Sequence, residues 1–176
     1  MSTGGLLKYP SLLRRAIALK IPIHLPSGAL AGLDGIKGAA SGGLRSVTLT
    51  TRKHPSSFRG SPHVLRRRIR LDRIRKSRVL FEGSAAKAVA AFPQNVNVAA
   101  TLALAGIGPA RTRVRVVADP EVRENIHELE AVGSFGRLRV RVENRPSREN
   151  PKTSQLAVLS AVAALGRILG PLKVGT

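Results

Sequence analysis

The stretch that decides the fold runs from Ile126 to Glu143 and reads IHELEAVGSFGRLRVRVE. In its first arm His127, Leu129 and Ala131 share one parity, and Glu128 and Glu130 take the other. In its second arm Leu138, Val140 and Val142 alternate with Arg137, Arg139 and Arg141. Apolar and charged residues alternating with a period of two mark a strand buried on one face. Gly133-Ser134-Phe135-Gly136 between the arms supplies the turn of a hairpin. Such a hairpin leaves an apolar face that other elements must cover.

Working outward, the same alternation recurs over 111–118, where Arg113 and Arg115 interleave with Val114 and Val116. It recurs again over 44–51, with Val47, Leu49 and Thr51 on one parity. Arg52-Lys53-His54-Pro55 reads as a basic turn closing that strand. Helices are expected over Pro10 to Lys20, over Ala29 to about Ala40 and from a cap at Ser84 to Phe92. Others are expected from Asn97 to Ala105 and from Asn150-Pro151 to Leu169, where Gly170-Pro171 ends the chain's longest apolar helix. On that last helix Leu156, Leu159, Val162 and Ala163 form one stripe. Prolines at 22 and 26 keep Ile21, Ile23 and Leu25 out of a sheet centre. The expected class is α/β of the α+β kind: a mixed, largely antiparallel sheet with helices packed on one face.

The 176 residues, 43% of them hydrophobic, suffice for one core. Without cysteine there is no disulfide, thiolate metal site or cysteine nucleophile, and a cytoplasmic location is the default. Neither a signal peptide nor a membrane span is expected, because Ser160 and Arg167 interrupt the longest apolar run. The net charge of +20 attracts anions of any kind. With 3% aromatic residues and no Trp, stacking platforms for single-stranded nucleic acid are lacking, so nucleic acid is not the expected partner. The densest charge run, LRRRIRLDRIRKSR over 65–78, has Leu65 and Ile69 at helical spacing and reads as a solvated surface element.

Histidines stand at 24, 54, 63 and 127, and no two have metal-ligand spacing, so no metal site is expected. No serine lies in a nucleophile elbow. His127 differs from the others because strand parity turns it inward. An inward imidazole beside carboxylates can be held near neutrality to give or take a proton, and a core histidine satisfied by a carbonyl is the competing reading. Asn95 and Asn97 lie between two helices, where each can present an amide to a ligand or cap the second helix; for Asn97 the cap is the expected role.

Seven blocks, in order, resemble motifs of the L-aspartate dehydrogenase family: PSGALAGLD (26–34), TRK (51–53), FEGSA (81–85), FPQNVNVA (92–99), ADP (118–120), NIHE (125–128) and NPKTS (150–154). The resemblance runs from about Leu12 to Leu169 and is weakest over 65–78. It implies a C-terminal α/β domain, at 21–176 here, that supplies the substrate pocket and a homodimer interface. In the family this domain follows an N-terminal Rossmann domain binding NAD or NADP, of which residues 1–20 match only the last helix. The implied reaction interconverts L-aspartate with oxaloacetate and ammonia through iminoaspartate, feeding NAD biosynthesis.

By the same resemblance His127 is the catalytic acid/base, Ala29 and Asn95 contact the cofactor, and Ser27, Asn97 and Lys152 are weaker substrate contacts. Arg52, Lys53 and Lys152 lie in or beside these motifs, and a dicarboxylate substrate calls for cationic donors, although ordinary surface charge explains them as well. No GxGxxG fingerprint is present. The expectation is therefore a fragment or late-starting chain, or else one that works beside a separate nucleotide-binding subunit. The competing function is a non-enzymatic, degenerate dehydrogenase domain or basic adaptor that binds a polyanion through 65–78.

Overall fold

The computed structural model describes residues 3–147 and 153–175. Its helices are α1 (Gly4–Lys8), α2 (Pro10–Ala18), α3 (Leu33–Ser41), α4 (Pro62–Arg66), α5 (Ala85–Ala91), α6 (Asn97–Ala105) and α7 (Gln155–Leu169). Its strands are β1 (Leu44–Lys53), β2 (Arg78–Ser84), β3 (Arg113–Ala118), β4 (Asn125–Gly133) and β5 (Gly136–Asn144). They form one sheet in the order β2-β3-β1-β4-β5. β1 and β3 run parallel and every other pair is antiparallel, as the sequence led us to expect.

Strand alternation sorts the side chains as anticipated. Val47, Leu49, Val114, Val116, Leu129 and Ala131 are buried beneath α3, α5 and α6, which contribute Ile36, Ala88, Ala99 and Leu102 to the same core. Each fully buried side chain of Val, Leu or Ile size contributes about 1.5–3 kcal/mol. The opposite face carries a ladder of ion pairs: Arg115 with Glu82, Arg137 and Arg139 with Glu130, and Arg141 with Glu128 and Glu143. These pairs are solvent-exposed, so each adds little stability, and their main effect is to fix the β4–β5 register.

Four local expectations are corrected. The helix foreseen from Ala29 begins only at Leu33, because Gly28 and Gly32 adopt φ of +69° and +82°, a conformation no continuing helix tolerates. A Cβ at Gly32 would also stand 2.8 Å from Val140, so the turn fits only glycine. Arg52 and Lys53 are not in a turn: β1 runs through both. Residues 65–78 form no continuous helix. Arg68, at φ +50°, ends α4, and Val64 and Ile74 are buried as anchors while Leu65 is exposed. Residues 78–84, read only as a motif, form edge strand β2.

The helix start placed at Asn150-Pro151 falls outside the described residues; α7 begins at Gln155, after Ser154. No residue of α7 is buried, and Leu159 and Val162 on the expected stripe are exposed. Ser84 caps α5 as foreseen, its Oγ accepting the Lys87 N–H at 3.4 Å. An aromatic cluster of Phe58, Phe81, Phe92 and His63, with centroids 5.3–5.9 Å apart, pins the end of α5 and fixes the loop that follows Phe92. Among the described residues no helix is long and apolar enough to cross a membrane.

Candidate active site

At the carboxyl end of β1, beside the first residues of β4, the sheet opens into a pocket. Its lining includes Ala29, Lys53, Asn95, Asn97, His127 and Ser154. Five segments converge there: the 28–30 turn, β1, the 93–97 loop, β4 and the entry to α7. Residues far apart in sequence become neighbours because Thr51 on β1 is the direct cross-strand partner of His127 on β4.

His127 is only 2% exposed. Its Nδ1 lies 3.1 Å from Thr51 Oγ1, which leaves Nε2 as the ring nitrogen without a protein hydrogen bond among the described residues. As strand parity led us to expect, Glu128 and Glu130 project to the other face and pair with arginines. The charged neighbour of His127 is Lys53, two residues beyond Thr51 on the same face and 4% exposed. Burial, and then the Lys53 charge, lower the imidazole pKa from 6.5 to about 3. Burial lowers Lys53 from 10.5 to about 8, and Lys53 makes no ion pair among the described residues. The pocket thus holds a neutral imidazole and a cation whose charge is poorly solvated, a combination that an incoming carboxylate relieves.

The remaining candidates divide. Asn95 is buried and lines the pocket, and its side-chain amide takes no protein partner among the described residues. Ala29 lines it through the turn that Gly28 and Gly32 permit. Asn97 lines it too, but does not cap α6: Val96 occupies that position, and Asn97 Oδ1 accepts the Gly4 N–H at 3.3 Å. Arg52 points away from the pocket. It binds Asp119 and Ser77, each at 2.7 Å, and so ties the end of β1 to the segment after β3. Ser27 is half-buried outside the lining, and Lys152 lies outside the described residues.

Sequence reasoning missed Thr51 and Asn144 as site residues. Asn144 Nδ2 donates to the Ala29 carbonyl at 3.0 Å and to the Asn125 carbonyl at 3.3 Å, and Asn125 Nδ2 donates to Ser154 Oγ at 3.3 Å. These bonds lock the 28–30 turn, the β4–β5 pair and the entry to α7 around the pocket. A buried asparagine ending an otherwise charged and apolar strand was the available signal.

A five-stranded sheet covered on one face, with a buried histidine and lysine facing one pocket at the carboxyl end of its central strand, defines an α/β domain with a candidate small-ligand site. Comparison with known proteins specifies it further. The family model described as aspartate dehydrogenase, C-terminal, matches residues 34–168. An L-aspartate dehydrogenase of Methanosarcina mazei is 55% identical over 154 residues, covering 88% of this chain and 57% of that protein. One from Nitrosopumilus maritimus is 44% identical across 100% of this chain and 66% of its own length. The crystal structure of an aspartate dehydrogenase from Thermotoga maritima superposes with a TM-score of 0.74 at 26% identity, over 99% of this chain and 66% of that one. The chain belongs to the aspartate dehydrogenase family and corresponds to its C-terminal domain. It spans about three fifths of the length of the curated relatives it matches first.

Proposed function

We propose that this chain supplies the catalytic domain of an NAD- or NADP-dependent L-aspartate dehydrogenase, converting L-aspartate to iminoaspartate and thence to oxaloacetate and ammonia. The observation that carries the reading is the opposition of Lys53 and His127 in one pocket. The under-solvated Lys53 charge draws a dicarboxylate into a site whose described lining holds no aspartate or glutamate. His127, kept neutral, presents Nε2 to the reacting carbon, where it orients the water that attacks the imine.

The residues present suit a nicotinamide nucleotide. The side-chain amide of Asn95, which lines the pocket and takes no partner among the described residues, matches a carboxamide in donors and acceptors, and the Ala29 turn admits close approach. When bound, that group would supply hydride acceptance and donation. Asn97, Ser27 and Lys152 are secondary candidates for substrate contact. On this reading the chain serves pyridine nucleotide biosynthesis, works in the cytoplasm and pairs as a homodimer.

The test is consumption of NADH and of NADPH with oxaloacetate and ammonia, run beside a His127→Ala control. Cofactor consumption that depends on His127 supports the reading and separates NAD from NADP. Absence of turnover with both cofactors, alone and with a nucleotide-binding subunit added, counts against it.

A further inference from the structure

Resting on that reading, the geometry points to Lys53, rather than His127, as the base that takes the proton from the substrate's ammonium group. In the described pocket lining these two alone carry titratable side chains. Both lie on the covered face of the sheet, Lys53 at the diagonal cross-strand position to His127, where residues generally stand about 7–8 Å apart and long side chains meet. A substrate nitrogen held between them meets both. Among the described residues no carboxylate competes: Asp119, on the segment abutting Lys53, is turned to Arg52, and Glu128 and Glu130 face the far side. From α6 and the 93–97 loop come neutral amides and the Val98 side chain, and from the described entry to α7 two hydroxyls and an alanine methyl.

Magnitudes decide between the two. An amino acid must lose an ammonium proton before its Cα–H can leave as hydride, and α-ammonium groups titrate at about 8 or above. An imidazole at about 3 accepts that proton with an equilibrium unfavourable by about five orders of magnitude. A lysine at about 8 accepts it far more readily. Lys53 enters the step as the neutral amine, the minor form at pH 7 that gains as the pH rises through about 8: one substrate N–H bond breaks and one Nζ–H bond forms, positive charge passes from the substrate nitrogen to the lysine, and no electrons change hands. The bound carboxylates raise the lysine's affinity for the proton and favour the transfer.

Two measurements test this. Trace acetylation of the wild-type chain across pH 6–11, read lysine by lysine by mass spectrometry, should give Lys53 a midpoint near 8, moved upward by succinate, with exposed Lys37 and Lys87 as internal references. A Lys53 midpoint above 10 overturns the proposal. In turnover, Lys53→Arg keeps the charge but cannot release the proton, so it should bind succinate within about threefold of wild type and lose at least a hundredfold in kcat. The chain contains no cysteine. Lys53→Cys alkylated with 2-bromoethylamine therefore rebuilds one amine at one position, and should recover turnover with the pH profile displaced to lower pH.

Turnover in Lys53→Arg within tenfold of wild type overturns the assignment alone. A wild-type chain without turnover under any cofactor overturns the dehydrogenase reading, and this assignment with it.

Discussion

Thr51 Oγ1 and His127 Nδ1 face each other at 3.1 Å across neighbouring strands, both side chains buried. This contact fixes which imidazole nitrogen serves the pocket, and it exists only because β1 and β4 pair in one register. Thr51→Val preserves shape but strands a buried ring nitrogen. It is expected to cost about 1–3 kcal/mol and to lower turnover at least tenfold, with Thr51→Ser restoring both. Urea unfolding and imidazole 15N shifts check the two halves; unaltered tautomer shifts in Thr51→Val would sink the positioning role.

Acid should unfold this domain through His127. Its folded pKa, about 3, lies below the unfolded 6.5, so the unfolded chain binds more protons and stability falls as the pH drops from 6.5 toward 3. The loss is on the order of 5 kcal/mol, comparable to the whole stability of many domains. Urea midpoints recorded from pH 7 to 4 should fall steeply in wild type and more gently in His127→Gln. Parallel slopes would remove His127 from the account.

Lys53 acts with the same sign in an alkaline window. It is charged in both states below about pH 8 and neutral in both above 10.5, so its burial penalty is relieved, and stability rises, between those values. The penalty is on the order of 3 kcal/mol. Lys53→Met should therefore be more stable than wild type at pH 7 while losing succinate affinity, measurable by thermal unfolding beside calorimetric titration. A destabilised Lys53→Met would show that the stem packs better than the charge hurts.

Arg52 is assigned a structural role. Its guanidinium binds Asp119 at 2.7 Å, and that carboxyl sits below its usual value: burial pushes it up, but the Glu121 N–H and Arg52 outweigh this. Arg52→Ala should cost about 1–2 kcal/mol in urea unfolding and leave succinate affinity within about twofold. A tenfold loss of affinity at unchanged stability would return Arg52 to the substrate's side.

The strand-and-helix skeleton was legible wherever a periodic pattern carried its own physics. The 126–143 hairpin, the parity that turns His127 inward and the Ser84 cap all follow from neighbours in sequence. Edge strand β2 was not legible, because VLFEG lacks alternation and gains its hydrogen bonds only from β3. The basic run 65–78 misled, because a left-handed residue at Arg68 cannot be read from composition.

By itself the sequence determined the class of fold, the family motifs and the residue types available for chemistry, since alternation, capping and turn preference act within a few residues. The surroundings of those residues were decided only by the tertiary structure. Lys53 and Arg52 are adjacent in sequence, yet strand pleating sends one into the pocket and the other to Asp119. His127 met Thr51 and Lys53 because pairing, a long-range property, chose its neighbours. A pKa depends on desolvation and on charges from distant segments, and those are set when the segments pack together.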